Sequence, residues 1–354
     1  MPKVRVLIVD DSAYSRQAIR KALEKDDHIE VAGISTDGID AMAKTIMFKP
    51  DLITLDLEMP GMDGFTFLRW LMKKRPTPVI IVSSYSDSKT VFKALELGAA
   101  DFIAKPQKIA QLDFKKMQVD LLRKVKGIKD FRMDRLSRNL ELLEEEKREE
   151  KSYAISGQEV EAIAIGSSTG GPNALKIIMT RLPSNFQASI VVSQHMPKGF
   201  TASFAERLNG LSQIHVEEAK DGDIVEGGKV LICPGGHHML FRKKGERVFA
   251  TIKESRHSDR YIPSIDTMMS SASEIFGSRT MGIILTGMGS DGVSGMLEIK
   301  KRGGYTIAES EDSAVVFGMP SGVINAGAAG RVLPISEIPD EMIKLTSMKE
   351  QGDN

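Results

Sequence analysis

The chain has 354 residues, more than one hydrophobic core usually organises, so its length predicts two domains. Its 48 basic and 48 acidic residues leave no formal net charge, which excludes the general positive field of a non-specific nucleic-acid or membrane-surface binder. A hydrophobic fraction of 41% excludes wholesale disorder.

Cys233 is the only cysteine, which excludes a disulfide framework and a cysteine-built zinc site. The sequence starts Met1-Pro2-Lys3 without the apolar region of a signal peptide, and it has no apolar run long enough to cross a membrane. We therefore predict a cytoplasmic protein with no membrane insertion and no nucleic-acid partner.

The first third of the chain alternates short β-branched apolar runs with segments of helical period. This alternation predicts a parallel sheet covered by helices on both faces, and five strands in about 125 residues predict a flavodoxin-like domain. The strand candidates are residues 5–9, 30–35, 51–57, 78–82 and 101–104.

Residues 126–155 form a predicted linker that is dense in charge of both signs. Leu136, Leu140 and Leu143 recur at three- and four-residue steps, which predicts a helical linker. The alternative is a solvated charged spacer with no surface of its own.

Strand–helix alternation returns after the linker and predicts a second, larger parallel-sheet domain over residues 156–350. Three strand-like runs follow one another too closely for helices to intervene, which predicts an antiparallel insert at residues 229–233, 238–242 and 247–253. The remaining predicted elements are residues 162–165, 173–181, 189–193, 201–208, 280–285, 293–302, 305–308 and 335–348.

Three carboxylates follow two strands of the first predicted sheet. Asp10 and Asp11 end the first strand, Asp56 ends the third, and these strands are neighbours in a sheet of order 2-1-3-4-5. Such a cluster needs a hard cation with oxygen ligands, for which we predict Mg²⁺. The alternative is that Asp10 and Asp11 are only N-caps of the next helix.

Ser83 ends the fourth strand and Lys105 ends the fifth, so a hydroxyl and a positive charge are predicted beside the same carboxylates. Both groups stabilise a phosphoryl group, which makes Asp56 a candidate acceptor.

The runs at residues 7–12 and 56–64 and the pair Lys105-Pro106 resemble the receiver domain of two-component response regulators. The resemblance assigns residues 1–125 to that domain. It implies that a chemotaxis histidine kinase phosphorylates Asp56. It further implies a metal held at Asp10, Asp11 and Asp56, a switch hydroxyl at Ser83, a phosphate contact at Lys105 and a switch aromatic at Phe102.

A glycine-flanked serine turn opens the second domain. Gly166-Ser167-Ser168-Thr169-Gly170-Gly171 follows a predicted strand, and its Gly-x-Ser-x-Gly spacing singles out Ser168 as a nucleophile. The alternative is a turn that cradles a phosphate. Backbone N–H groups at Gly170 and Met288 are candidates for an oxyanion hole.

A base and an orienting carboxylate for Ser168 are predicted at other strand ends. His195 follows the strand at residues 189–193, and Asp291 follows the apolar strand at 280–285. These residues complete a triad in the order Ser, His, Asp, which differs from the order in α/β-hydrolases.

Two other interpretations compete with a catalytic triad in the second domain. The turn Gly287-Met288-Gly289-Ser290-Asp291-Gly292, with Glu309 further on, fits the dinucleotide-binding fingerprint. Asp291 inside the turn argues against it, since its carboxylate would face the pyrophosphate. The other rival is a non-catalytic binding module.

The runs at residues 167–171, 194–200, 285–292 and 316–320 resemble the catalytic domain of the chemotaxis protein-glutamate methylesterases. The resemblance implies that Ser168, His195 and Asp291 hydrolyse glutamyl methyl esters on methylated chemoreceptors, with glutamine deamidation as a second activity. It implies no cofactor in this domain. The polar stretch at residues 256–266 is a candidate lining of the substrate cleft, and the sequence leaves its role open.

Overall fold

The computed structural model describes residues 3–84, 88–105, 111–144, 160–256 and 258–346. The chain divides into two compact units between Ser137 and Arg138. Among the described residues, no helix is both long and apolar enough to cross a membrane.

The first unit contains a five-stranded parallel sheet with the order β2-β1-β3-β4-β5, as predicted. Helices cover both faces, so β1 and β3 are almost wholly buried. The strands are β1 (Val4–Val9), β2 (Ile29–Ser35), β3 (Leu52–Leu55), β4 (Val79–Ser83) and β5 (Asp101–Ala104). The helices are α1 (Ala13–Leu23), α2 (Gly38–Phe48), α3 (Gly64–Lys74), α4 (Ser88–Glu96) and α5 (Gln111–Lys126).

The segment predicted as a linker is helical over part of its length. A 3₁₀ turn (Gly127–Asp130) follows α5, and α6 spans Met133–Glu144. The buried Asn139 donates from Nδ2 to the Ser313 carbonyl at 3.0 Å, so this part of α6 has a packed surface. Residues 145–155 of the predicted linker lie outside the described residues.

The second unit contains a seven-stranded sheet with the order β14-β13-β12-β6-β7-β9-β8, in which every pair is parallel. Its strands are β6 (Ala162–Ser167), β7 (Ser189–Gln194), β8 (His215–Glu218), β9 (Lys229–Ile232), β12 (Thr280–Ile284), β13 (Tyr305–Glu309) and β14 (Arg331–Leu333). Its helices after α6 are α7 (Gly171–Met179), α8 (Thr201–Leu211), α9 (Ile265–Phe276), α10 (Val293–Lys301), α11 (Gly318–Asn325) and α12 (Ile338–Thr346).

One part of the predicted antiparallel insert is wrong. The insert is a single hairpin, β10 (His237–Lys244) with β11 (Arg247–Glu254). In contrast, β9 inserts between β7 and β8 and pairs parallel with both. A short connection usually indicates a hairpin, but β9 is apolar and buried, as expected of an interior parallel strand.

Cys233 follows β9 directly and lies in the hydrophobic core of the second unit. Its side chain is fully buried, and this burial raises the pKa of the thiol far above its ordinary value. The thiol is therefore not a reactive group in the folded protein.

Candidate functional site

Three neighbouring strand ends carry the residues predicted as a triad. Strand β6 lies between β12 and β7 in the sheet. Ser168 follows β6, His195 follows β7, and Asp291 lies in the turn between β12 and α10. All three therefore lie at the carboxyl edge of one parallel sheet, where ligands of open α/β sheets bind.

The Ser168 backbone is held by the ends of both neighbouring strands. Its N–H donates to the Thr286 carbonyl at 3.1 Å, and its carbonyl accepts from Gln194 Nε2 at 2.9 Å. Gly287 packs so closely that a Cβ there would lie 2.7 Å from the Ser168 Cβ. The hydroxyl makes no hydrogen bond to any of the described residues.

The neighbouring Ser167 differs from Ser168 in that its hydroxyl is already engaged. Ser167 Oγ donates to Gln194 Oε1 at 2.6 Å, and the side chain is fully buried. Of the two adjacent serines, only Ser168 has its hydroxyl available within the described part of the chain.

His195 and Asp291 form a buried pair. His195 Nε2 lies 2.8 Å from Asp291 Oδ2, and the two side chains are 5% and 1% exposed. Because a carboxylate accepts, the shared proton is assigned to Nε2, which leaves the lone pair on Nδ1. Nδ1 is buried and has no hydrogen-bond partner in the described ranges. No hydrogen bond joins Nδ1 to the Ser168 hydroxyl in this arrangement.

Two backbone N–H groups at the start of α9 hold the Asp291 carboxylate. Ile265 N donates to Oδ2 at 2.8 Å, and Asp266 N donates to Oδ1 at 3.0 Å. Burial acts to raise the pKa of Asp291, but His195 and these N–H donors outweigh it and lower the pKa below its ordinary value. Asp291 is therefore stabilised as an anion beside the imidazole.

The polar stretch before α9, which the sequence left without a role, supplies further contacts. The Tyr261 ring stacks on His195 with 5.2 Å between centroids and 4° between planes. Asp266 accepts at Oδ1 from Gly292 N at 3.0 Å and from Gly295 N at 2.7 Å. Sequence reasoning missed both roles, although the polar density of the stretch marked it as a candidate part of the site. His257 lies outside the described residues.

The predicted oxyanion donors lie in the two turns that follow β6 and β12. Gly170 has a left-handed backbone, with φ +79°, and Met288 follows the Gly287 that packs on Ser168. Neither backbone N–H donates to an acceptor among the residues described here.

Glu309, which the dinucleotide-binding interpretation would place on a ribose, is buried inside the second unit. Its Oε2 accepts from Thr286 N at 2.7 Å, and its Oε1 accepts from Ser313 Oγ at 2.8 Å. The carboxylate therefore ties the end of β12 to the loop after β13, which argues against a nucleotide contact.

Asp10, Asp11 and Asp56 meet at the carboxyl edge of the first sheet. Each offers a carboxylate oxygen, and these oxygens lie within 4.8 Å of one another. The N-cap of α1 is Ser12, which accepts from Ser15 N, so the interpretation of Asp10 and Asp11 as N-caps is wrong. The oxygen donors suit a hard metal ion.

Lys105 pairs with two of these carboxylates. Its Nζ donates to Asp56 Oδ2 and lies 3.1 Å from Asp10 Oδ2. Burial raises the pKa of Asp56 despite the opposing effect of Lys105. Burial acts to lower the pKa of Lys105, but its bonds to the two carboxylates raise it overall.

The two predicted switch residues are buried in the first unit. Ser83 ends β4, and its hydroxyl donates a long hydrogen bond of 3.5 Å to the Ser84 carbonyl. Phe102 on β5 packs edge-on against Phe92, with 6.2 Å between centroids, and Lys124 Nζ lies 5.4 Å from the Phe102 ring. Pro106, part of the motif that singled out Lys105, lies outside the described residues.

Comparisons with known proteins match both units. Residues 163–342 match the family described as CheB methylesterase, and residues 6–115 match the response regulator receiver domain. A protein-glutamate methylesterase/protein-glutamine glutaminase of Geobacter sulfurreducens is 45% identical over 97% of this chain and 98% of its own length. One of Pyrococcus abyssi is 40% identical over 99% and 96%.

A solved structure also matches the second unit. The catalytic domain of the CheB methylesterase of Thermotoga maritima is 45% identical, with a TM-score of 0.51. The match covers 52% of this chain and 98% of that domain.

Proposed function

This chain belongs to the CheB methylesterase family, and we propose that its hydrolysis of glutamyl methyl esters on methylated chemoreceptors runs through Ser168, His195 and Asp291. The observation that carries this assignment is the buried bond between His195 Nε2 and Asp291 Oδ2 at the strand end next to Ser168. It leaves Nδ1 as the basic nitrogen of the ring.

In the proposed mechanism, Ser168 Oγ attacks the ester carbonyl and His195 Nδ1 takes the hydroxyl proton. The tetrahedral intermediate collapses as the imidazolium returns this proton to the departing methoxy oxygen, which leaves as methanol. Water then hydrolyses the glutamyl acyl-enzyme by the same steps and releases the carboxylate. Asp291 stabilises the transient imidazolium, and Gly170 and Met288 N–H groups hold the oxyanion.

The same site supports hydrolysis of glutamine side chains. Attack on the side-chain amide gives the same glutamyl acyl-enzyme, and the His195 imidazolium gives its proton to the departing amide nitrogen, which leaves as ammonia. The names of the two relatives, which include a protein-glutamine glutaminase, support this second activity.

For the regulatory part, we propose a receiver domain at residues 1–125, a linker at 126–155 and the catalytic domain at 156–350. A chemotaxis histidine kinase transfers a phosphoryl group to Asp56, and Asp10, Asp11 and Asp56 hold Mg²⁺. The metal neutralises phosphoryl charge when bound. Lys105 contacts the phosphate. Ser83 is the switch hydroxyl and Phe102 the switch aromatic that respond to phosphorylation. We further propose a cytoplasmic location, which suits a chain whose one thiol is buried and unpaired.

Release of methanol from methylated receptor fragments tests the proposed chemistry. We expect release by the full-length protein and almost none by the Ser168→Ala variant. Equal release by both proteins would contradict the assignment of the nucleophile, and no release by either would contradict the reaction itself.

A further inference from the structure

The phenol ring of Tyr261 lies flat against the imidazole of His195. The centroid separation of 5.2 Å and the interplanar angle of 4° define an offset parallel stack. We propose that Tyr261 is a positioning residue, which keeps the imidazole in the orientation that joins Nε2 to Asp291 and leaves Nδ1 for the serine. This inference rests on the proposed function, because it assigns a residue to the same site.

The Tyr261 hydroxyl is anchored on the turn that carries Asp291. Ser290 N donates to it at 3.4 Å. Gly289, with φ +96°, makes room for it, since a Cβ at that position would lie 2.6 Å from the hydroxyl oxygen. Tyr261 therefore contacts both the proposed base and the turn that presents its carboxylate.

A single histidine on β10 fixes the loop from which Tyr261 projects. His238 Nε2 pairs with Asp259 Oδ2 at 2.9 Å, and His238 Nδ1 accepts from Ser264 N at 3.0 Å. These two bonds tie both ends of the loop to one ring. The Arg260 guanidinium lies 5.2 Å from the Tyr261 centroid and packs on the same aromatic ring.

The stack restrains a motion that the bond to Asp291 does not. A hydrogen bond at Nε2 fixes one edge of the imidazole but still permits the ring to tilt about that edge. A flat ring against one face opposes the tilt and excludes water from that face. Because an aromatic pair contributes modestly beyond its buried area, we expect an effect of about three- to tenfold in rate.

Steady-state kinetics of the full-length protein on methylated receptor fragments test the proposal. Tyr261→Leu should lower kcat about three- to tenfold with little change in KM, whereas Tyr261→Phe, which keeps the ring, should stay within about twofold of the original. An unchanged kcat in Tyr261→Leu, or a loss that lies wholly in KM, would overturn the proposal. Equal losses in both variants would overturn it too.

A measurement that does not depend on activity completes the test. Exchange of the His195 Nε2 proton, followed by NMR, should accelerate in Tyr261→Leu and stay unchanged in Tyr261→Phe. Unchanged exchange in Tyr261→Leu would overturn the positioning role even if the proposed function holds. Full activity of His195→Ala would instead refute the proposed function, and the exchange result would still stand.

A tyrosine at the opposite edge of the sheet provides the matched control. Tyr305 begins β13, and its hydroxyl donates to Glu341 Oε1 at 2.7 Å. Tyr305→Phe should alter neither kcat nor the exchange of the His195 proton. A change of either quantity equal to that in Tyr261→Leu would overturn the assignment to Tyr261.

Discussion

Asp266 and Asp291 cap each other's helices. Asp291, in the turn before α10, accepts from the N–H groups of Ile265 and Asp266 at the start of α9. Asp266 in return accepts from Gly292 N and Gly295 N at the start of α10. Each carboxylate lies at the positive end of a helix dipole. The orientation of Asp291 toward the imidazole is therefore set by hydrogen bonds at the starts of two helices.

Replacement of Asp266 tests this reciprocal capping. Asp266→Ala removes both accepted hydrogen bonds, so we expect the free energy of unfolding to fall by about 1–3 kcal/mol and kcat to fall as the Asp291 turn loosens. Asp266→Asn keeps an acceptor oxygen and should retain most of the free energy of unfolding and most of kcat. Thermal unfolding and methanol release measure the two effects, and equal behaviour of the two variants would contradict the capping role.

The Asp266→Asn variant also carries a pH prediction. Burial and the charge of Asp291 raise the pKa of Asp266 above its ordinary value of 3.8. A carboxyl with a raised pKa in the folded protein destabilises the fold increasingly as the pH rises from the unfolded value through the folded one. The difference in Tm between Asp266→Asn and the original protein should therefore shift in favour of the variant as the pH rises between these two pKa values. Above the folded pKa the difference should stay constant. A difference that does not vary with pH would contradict the prediction.

The two adjacent serines should respond differently to substitution. Ser168→Ala removes the proposed nucleophile, so turnover should fall by about a thousandfold or more. Ser167→Ala removes a buried hydrogen bond to Gln194 and should lower stability by about 1 kcal/mol with a much smaller loss of turnover. Methanol release and thermal unfolding distinguish the two. The reverse order of activities would identify Ser167 as the nucleophile.

Gly287 is the position where a single added methyl group should disturb the nucleophile. Its Cβ would lie 2.4 Å from Met319 Sδ and 2.7 Å from Ser168 Cβ, so Gly287→Ala forces a shift that we expect to lower stability by about 1–3 kcal/mol and to lower kcat. The matched control is Gly210→Ala on α8, where a Cβ meets open space. The control should gain about 0.5–1 kcal/mol without a change in kcat. Normal kcat in Gly287→Ala would show that Ser168 tolerates the shift.

Phosphorylation of the receiver should depend on Asp56 and on a divalent metal. With an acyl phosphate as donor, we expect labelling of the full-length protein and a faster esterase rate, both lost in Asp56→Asn or after chelation. The esterase rate without a donor should be unaffected by this substitution. Asp51→Asn, at the other end of β3, is the matched control, since Asp51 Oδ2 accepts from Arg5 N. Labelling that persists in Asp56→Asn would place the phosphoryl group elsewhere.

The sequence predicted which candidate site residues lie together in each domain, because residues that follow parallel strands share one edge of the sheet. The order β2-β1-β3-β4-β5 was predicted, and so was the hairpin of β10 and β11. The position of β9 was not, because chain spacing alone does not reveal that a strand inserts between two others. Likewise, α11 begins at Gly318 and contains Pro320, residues that signal a turn as readily as the first turn of a helix.

The contacts that orient the candidate site were beyond sequence reasoning for a different reason. Three contacts depend on where a loop places a side chain in space. They are the bond of Asp291 to Nε2 of His195, the stack of Tyr261 on His195 and the capping of α10 by Asp266. Neither periodicity nor motif spacing encodes such placements. Strand patterns placed the proposed reacting groups at one edge of the sheet, whereas the loop that contacts them became interpretable only through its hydrogen bonds.

The burial of Cys233 makes this protein convenient for spectroscopy. Its thiol is inaccessible and its raised pKa keeps it protonated, so maleimide or nitroxide reagents should leave it unmodified in the folded state. Dyes attached at one introduced surface cysteine in each unit would then carry no background from the native residue. Interdomain distances could be followed through a phosphorylation cycle without first removing a cysteine.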